Sequence, residues 1–295
     1  MCLKNSNDLL HSMIIRSFGR DRTYAGRSLL LLEETDSTNS YCLTRKELLK
    51  DPGLVVLAIR QTSGRGSKGR QWSSGKGHHL FASFIIHPPF DQKTVPFFSL
   101  LSGVAVQRTL SCLGLKGVTL KWPNDIIIDG KKAGGILCER PAPLPEEPAV
   151  LVAGIGINVT GDSVQFGPSL RPFVTTLEEA GVNIAELASK ADIATIHSQL
   201  DQRKFLPCLS VISLVWLISQ KLEEVIIETE KGRTKNLFQE WNRHCWKKGA
   251  MVHLSNGNLN VEGVLIGLDS TGRLKLRTPE GQIARAYSGT LRYMG

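Results

Sequence analysis

The chain has 295 residues, of which 41% are hydrophobic and 21% charged, and this composition suits one large and one small globular domain. Its longest apolar run, Val211 to Ile218, is far shorter than the roughly 20 residues that span a bilayer. The start of the chain lacks the apolar run of a secretory signal, so neither a membrane anchor nor export is expected. The net charge of +9 suits nucleic acid, an anionic surface or an acidic protein, and charge alone does not choose among them.

The six cysteines are widely spaced, and the chain has no Cys-x-x-Cys pair that would indicate a zinc site or a redox pair. Reduced thiols and a cytoplasmic location are therefore expected.

The first half of the chain predicts strands separated by one capped helix. Residues 29–34 read as a buried strand, and residues 35–39 carry the side chains that cap a following helix. Asp51-Pro52-Gly53 ends that helix, and residues 54–59 form a second strand that leads into a glycine-rich loop from Gln61 to Gly77. Residues 79–86 alternate like a strand, whereas residues 97–113 carry apolar residues at helical spacing.

Further along, strands are predicted at 118–122, 126–128 and 132–139, and Asp129-Gly130 indicates a two-residue hairpin. The proline-rich stretch 141–148 predicts a surface loop. The strand at 150–159 is interrupted by Gly154 and Gly156, which indicate either a bulge or the close approach of another group.

The remainder of the chain changes character near residue 247. Residues 176–246 look largely helical, whereas from Lys247 short strands alternate with turns, a pattern typical of a small β-barrel of about fifty residues.

The loop Gly64-Arg65-Gly66-Ser67-Lys68-Gly69 admits three interpretations. It matches the dinucleotide fingerprint G-x-G-x-x-G, but no helical period follows it to receive a pyrophosphate. A Walker A loop would need Lys and then Ser or Thr where this chain has Arg70 and Gln71. There remains an extended loop with three cations that either closes over an anionic ligand or is simply solvated surface.

Five motifs, taken in order and at similar spacing, resemble those of biotin protein ligases. They are Asp36-Ser37-Thr38-Asn39, the segment from Gln61 to Trp72, Lys121-Trp122-Pro123-Asn124-Asp125, Lys132-Ala133-Gly134-Gly135-Ile136-Leu137 and Gly154-Ile155-Gly156-Ile157-Asn158-Val159. The resemblance covers roughly residues 29–295. It implies an α/β (α+β) fold with a mixed sheet similar to class II aminoacyl-tRNA synthetases, followed by an SH3-like barrel. The implied divisions are an N-terminal extension at 1–27, a catalytic domain at 28–246 and the barrel at 247–295.

The same resemblance implies residue roles. The biotin pocket would be formed by Ser37, Thr38, Asn39, Gln61, Gly64, Arg65, Lys68, Trp72, Lys132, Gly135, Leu137, Gly154 and Gly156. ATP and the adenylate would be held by Arg65, Ser67, Lys68, Gly69, Arg70, Lys132, Asn158 and Arg292. Catalytic roles fall to Lys132, Arg65 and Asp125.

Several of these residues also have purely structural interpretations. Ser37 and Thr38 could cap a helix, Lys132 could be a charge at the end of a strand, and Asn124 with Asp125 could only shape a turn. Ser67 departs from the family, because many relatives carry arginine there, and this predicts weaker retention of the activated intermediate.

The implied reaction uses ATP to convert biotin into biotinyl-AMP and then transfers biotin to a lysine of the carrier domain of acetyl-CoA carboxylase or a related carboxylase. Mg²⁺ is expected to arrive with ATP, near Asn158, with no dedicated metal site in the protein. A lipoate ligase is the nearest alternative, but the Gly-Gly-Gly segment of that group is absent from the sequence.

A DNA-binding repressor is the non-enzymatic alternative. Only about 28 residues precede the first predicted strand, fewer than a helix-turn-helix module needs, so no DNA binding is expected. No membrane partner is expected either, and a homodimer is compatible with the resemblance.

Overall fold

Two β-sheets and six α-helices make up the described part of the computed structural model, which comprises residues 12–16, 18–19, 21–73, 75, 77–90, 92–141, 149–189, 208–257 and 259–294. The larger sheet is mixed and the smaller one is antiparallel, which confirms the predicted α/β class. Within these residues, none of the helices has the length and apolarity to cross a membrane.

The larger sheet has eight strands in the order β1-β2-β3-β4-β8-β7-β6-β5. Its strands are β1 (Ser12–Ile15), β2 (Ala25–Thr35), β3 (Gly53–Gln61), β4 (Leu80–Ile86), β5 (Thr119–Lys121), β6 (Asp125–Ile128), β7 (Lys131–Glu139) and β8 (Leu151–Ile157). Only β2 and β3 pair in parallel, because the helices between them return the chain to the same end of the sheet.

Helices cover both faces of this sheet. They are α1 (Thr38–Thr44), α2 (Lys46–Leu49), α3 (Phe98–Cys112), α4 (Ile184–Ser189), α5 (Leu209–Glu230) and α6 (Thr234–Arg243). Alternate residues of β2 point to opposite faces: Leu29 and Leu31 join the core that contains α3 and α5, whereas Leu30 and Leu32 join the core that contains α1 and α2. Burial on both faces explains why this strand reads as an unbroken apolar run.

The N-terminal segment belongs in part to the larger sheet. The predicted extension 1–27 contains β1, which pairs with β2, and the start of β2 itself. The buried carboxylate of Glu223 on α5 accepts hydrogen bonds from the backbone N–H groups of Thr23, Tyr24 and Ala25, each at 2.8 Å. The predicted boundary at residue 27 therefore cuts through an integral strand; residues 1–11 lie outside the described residues.

The smaller sheet has the strand order β12-β11-β10-β9-β13. Its strands are β9 (Met251–Ser255), β10 (Asn260–Leu268), β11 (Leu274–Arg277), β12 (Ile283–Ala286) and β13 (Thr290–Tyr293). The chain enters it from a segment hydrogen-bonded to the larger sheet: Leu120 N–H donates to His244 O at 2.7 Å, and Trp246 N–H donates to Leu120 O at 2.9 Å.

The predicted elements agree with the structure within a few residues, with two gaps. The hairpin at Asp129-Gly130 is confirmed, since β6 ends at Ile128, β7 begins at Lys131, and both loop residues have positive φ, 49° and 79°. Most of the predicted surface loop at 141–148 and the part of the predicted helical region at 190–207 lie outside the described residues.

Candidate functional site

A cavity of about 250 Å³ lies where the ends of β3, β7 and β8 meet the start of α1 and the glycine-rich loop. Its polar floor contains Ser37, Thr38, Asn39 and Gln61. Its walls include Trp72, Gly135, Leu137, Gly154 and Gly156. Its charged rim contains Arg65, Arg70 and Lys132, together with Ser67. Thirteen residues predicted to form the site are thereby brought together.

The floor is a connected set of uncharged polar groups. Thr38 N–H donates to Gln61 Oε1 at 2.8 Å, and Ser83 Oγ lies 2.8 Å from Thr38 Oγ1 and 2.6 Å from Asn39 Oδ1. Ser37 occupies the predicted N-cap position of α1, but its side chain makes no capping hydrogen bond. The network leaves the Ser37 hydroxyl available to a ligand.

Three glycines leave one wall without side chains. Gly135 on β7 lies opposite Gly156 on β8, and the β8 register runs through Gly154 and Gly156 without a shift on either side. The bulge interpretation is therefore wrong at these positions, and close approach explains the glycines. A Cβ atom on Gly154 would lie 2.3 Å from Asn39 Oδ1, which shows that the Asn39 amide packs directly on the strand backbone.

Trp72 packs against the same bare strip. A Cβ atom on Gly135 would lie 3.0 Å from Trp72 Cζ3, and one on Gly156 would lie 3.1 Å from Trp72 Cε2. The indole Nε1 is buried and has no hydrogen-bond partner among the residues that the structure describes. An unpaired buried N–H group is costly, so this side chain would gain from an acceptor supplied by a ligand.

The cations of the rim are each held by a protein group. Lys132 Nζ lies 2.5 Å from Asp125 Oδ1 and 5.4 Å from the centre of the Trp72 ring. Arg65 Nη2 lies 2.5 Å from Glu139 Oε1. Arg70 Nη2 donates to Ser67 Oγ at 2.9 Å. A ligand with acid groups that enters the cavity would meet three cations that already line it.

Burial lowers the pKa of the Lys121 ammonium, which lies beside this rim on β5. The negative charge of Asp125 opposes that shift, and the positive charges of Lys132, Arg70 and Lys247 lower the pKa further. The neighbourhood is thus positive on balance, which favours anionic ligands.

Six of the residues predicted for the site do not line the cavity. Asp125 reaches it only through its ion pair with Lys132, and Gly64 is buried behind Gln61 and Trp72. Lys68 points to the smaller sheet, where its Nζ donates to Thr290 Oγ1 at 2.6 Å. Gly69 lies in the exposed loop, and Arg292 is exposed on β13. Asn158 is buried, and its Nδ2 donates to Thr175 O at 3.0 Å.

Sequence reasoning missed two polar residues of the site. Ser83 lies in the middle of β4, where alternation alone predicts only an inward or an outward side chain. Glu139 ends β7 and carries the partner carboxylate of Arg65. Among the described residues, no group of three His, Cys, Asp or Glu side chains could hold a metal ion.

Several known proteins are similar to this chain in sequence and in fold. Residues 31–158 match the biotin/lipoate A/B protein ligase family. The bifunctional ligase/repressor BirA of Bacillus spizizenii is 30% identical over 277 residues, which cover 93% of this chain and 76% of that protein. The biotin–[acetyl-CoA-carboxylase] ligase of Paracoccus denitrificans is 30% identical over 260 residues, which cover 85% of this chain and 95% of that protein.

Among solved structures, the biotin protein ligase of Aquifex aeolicus in complex with biotin and ATP superposes with a TM-score of 0.66. It is 27% identical, and the match covers 90% of this chain and 99% of that one.

The bare strip at Gly154 generates a prediction about stability. Gly154→Ala would force its methyl group against Asn39, which hydrogen bonds hold in place, so the free energy of unfolding should fall by about 1–3 kcal/mol. Urea denaturation measures the change. Gly103→Ala is the matched control, because the nearest atom to a Cβ there, Leu120 Cδ2, is 3.6 Å away. A Gly154→Ala protein as stable as the natural one would contradict the packing argument.

Proposed function

The chain belongs to the biotin protein ligase family, and from that premise we propose that the cavity carries out both steps of ATP-dependent biotin ligation. The chain is a ligase that joins biotin to a carrier protein at the expense of ATP. What the proposal adds is the part played by each residue of the cavity.

One observation carries the assignment of roles: four uncharged polar side chains and three cations line the same cavity. Biotin has the matching form, with a neutral ureido ring at one end and a carboxylate at the other. Neutral hydrogen-bonding groups suit the ring, and cations suit the carboxylate and the phosphate that becomes attached to it.

At the uncharged end, Ser37, Thr38, Asn39 and Gln61 would pair with the ureido ring. Trp72 would cover the ligand, and Leu137 would add an apolar contact. The absence of side chains at Gly135, Gly154 and Gly156 would let the ligand lie close to the sheet. Gly64 would leave room for the loop to fold over the ligand. The buried Trp72 Nε1 group supports this placement, because it has no hydrogen-bond partner within the described part of the chain.

At the charged end, the biotin carboxylate attacks the α-phosphate of ATP, a C–O–P bond forms, and pyrophosphate leaves. Arg65, Arg70 and Lys132 would stabilise the negative charge that develops on the phosphate oxygens. Ser67, Lys68 and Gly69 of the same loop, and Asn158 and Arg292, are proposed to contact ATP or the adenylate. For Lys68 and Arg292 this would require movement, since Lys68 contacts Thr290 and Arg292 is exposed.

Mg²⁺ is proposed to enter as a complex with ATP. Both carboxylates beside the cavity are already engaged, Asp125 with Lys132 and Glu139 with Arg65, and the described residues contain no cluster that would hold a metal. Magnesium is commonly bound through substrate phosphates with few protein ligands, so the ion would neutralise phosphate charge when bound.

In the second step the carrier lysine attacks the acyl carbon of biotinyl-AMP, an amide bond forms, and AMP leaves. A lysine of pKa near 10.4 is neutral in only about one molecule in 2,500 at pH 7, so the attacking amine must lose a proton. Asp125 is the proposed acceptor or orienting group, because its ion pair places its carboxylate beside Lys132, which lines the cavity.

The partner is the biotin carrier domain of a carboxylase, as the names of the relatives imply. We propose that the larger unit has the class II synthetase-like arrangement and that the five antiparallel strands from Met251 form the SH3-like barrel. Acetyl-CoA carboxylase as the specific target, a homodimer, a cytoplasmic location and the absence of DNA binding stay predictions.

Transfer of labelled biotin to a purified carrier domain, with ATP, tests the function. Lys132→Ala should slow formation of biotinyl-AMP about 100-fold, because the lost cation stabilises charge that develops during the reaction. Lys131→Ala is the matched control, since this neighbour on β7 is half-buried, does not line the cavity, and has its Nζ 3.9 Å from Glu179 Oε1. ATP–pyrophosphate exchange supported by lipoate and not by biotin would refute the assignment.

Asp125→Asn should separate the two steps. Loss of the proton acceptor should slow transfer from preformed biotinyl-AMP about 100-fold, with a smaller loss in exchange because Lys132 keeps a neutral partner. Single-turnover transfer, followed across pH 6–9, measures the first effect, and pyrophosphate exchange measures the second. Transfer at the natural rate in the variant would remove the role of Asp125 as a base.

Ser67→Arg should slow the dissociation of biotinyl-AMP about tenfold, the effect of one added charge-assisted contact worth about 1.4 kcal/mol. A chase of labelled adenylate with unlabelled biotin and ATP gives the rate. Ser73→Arg adds the same charge at an exposed position of the same loop that does not line the cavity, and should leave the rate unchanged. Equal rates for Ser67→Arg and the natural protein would show that the missing arginine does not matter.

A further inference from the structure

Glu139, the last residue of β7, connects the charged rim of the cavity to its polar floor. Its Oε1 atom lies 2.5 Å from Arg65 Nη2, and its Oε2 atom accepts a hydrogen bond from Asn39 Nδ2 at 2.9 Å. Arg65 and Asn39 both line the cavity, whereas Glu139 does not. The Glu139 carboxylate, which does not itself line the cavity, thus holds both the Arg65 guanidinium group and the Asn39 amide.

Both groups have a second partner that fixes their direction. Arg65 Nη1 donates to Ser40 Oγ at 3.1 Å, on the first turns of α1. Asn39 Nδ2 also donates to Leu137 O at 3.0 Å, and the side chain is buried. With Glu139 in place, the guanidinium group has two hydrogen-bonded anchors on the protein and is orientated before any ligand arrives.

The position of this carboxylate needs an explanation, because an unpaired acid beside a site for carboxylate and phosphate would repel the ligand. Here its charge is matched by Arg65, and only 21% of the Glu139 side chain is exposed. The pair therefore adds no net charge to the cavity, and the same holds for Lys132 with Asp125, so among the three rim cations Arg70 is the one whose partner, Ser67, is uncharged. The energetic effect of Glu139 must then come from orientation of its two partners.

We propose that Glu139 is a positioning residue that fixes Arg65 and Asn39 around biotin and thereby sets how tightly biotin and its adenylate are held. This inference rests on the proposed function and extends it to a residue that does not touch the substrate. Because Ser67 supplies no cation to the loop, retention of the adenylate depends more strongly on Arg65, and so on the residue that holds Arg65.

A purely structural salt bridge is the competing explanation. The Arg65 side chain is 43% exposed, and ion pairs between partly exposed groups often contribute little to stability. The two explanations differ in what changes: a structural bridge alters the melting temperature, whereas a positioning residue alters affinity for biotin and the lifetime of the adenylate.

The experiment compares Glu139→Ala, Glu139→Gln and Asp51→Ala with the natural protein. Asp51 is the matched control, since its Oδ1 atom lies 2.5 Å from Arg27 Nη2 in an ion pair whose residues do not line the cavity. Biotin-dependent ATP–pyrophosphate exchange gives kcat and KM, a chase gives the dissociation rate of biotinyl-AMP, and thermal melting reports folding.

Glu139→Ala should raise KM for biotin about tenfold and speed adenylate dissociation about tenfold, with kcat changed less than about threefold. Glu139→Gln keeps an acceptor for Asn39, so its KM for biotin and its adenylate dissociation rate should lie between those of the natural protein and of Glu139→Ala. This variant preserves the test if the alanine variant folds poorly. Asp51→Ala should match the natural protein. In an Arg65→Met background, Glu139→Ala should have a much smaller effect, because its main partner is gone.

Natural values of KM and dissociation rate in both Glu139 variants would overturn the inference, as would a full effect that persists in the Arg65→Met background. These outcomes are distinct from failure of the proposed function, in which the natural protein itself would show no biotin-dependent exchange.

Discussion

The cavity depends on one constraint of the sheet, the pairing of Gly135 with Gly156 in the register of β7 and β8. Two facing residues without side chains leave a strip of bare backbone, and Trp72 packs against this strip. A side chain at either position would meet the Trp72 ring, because an added Cβ atom would lie 3.0 or 3.1 Å from it. The register must therefore be maintained by the rest of the sheet, which its two apolar cores achieve by burying both faces.

The charges around this strip are organised in pairs. Lys132 contacts Asp125, and Arg65 contacts Glu139, so two of the three rim cations are held by carboxylates before a ligand arrives. An arriving acid does not have to order long flexible side chains, and the entropy of orienting them has been lost on folding. The remaining cation, Arg70, donates to the backbone oxygen and to the hydroxyl of Ser67, which carries no charge.

The smaller sheet is in contact with the glycine-rich loop. Lys68 adopts a left-handed conformation, with φ of 59°, and its ammonium group donates to Thr290 at the start of β13. Lys121 lies with its Nζ 5.1 Å from the Trp246 ring and 5.5 Å from the Tyr293 ring, at the junction of the two sheets. These contacts connect the loop, the motif around Lys121 and the C-terminal strands.

The sequence by itself determined the class of fold, nearly every strand and the motifs that form the cavity, because strand alternation, turn residues such as Asp129-Gly130 and glycine-rich loops are local signals. It could not show that β1 joins the sheet, since a four-residue strand has too little periodicity to stand out. Tertiary structure alone decided that Lys68 turns away from the cavity and that Glu139 joins Arg65 to Asn39. Those partners lie 74 and 100 residues away in the sequence, and only the register of the folded sheet brings them together.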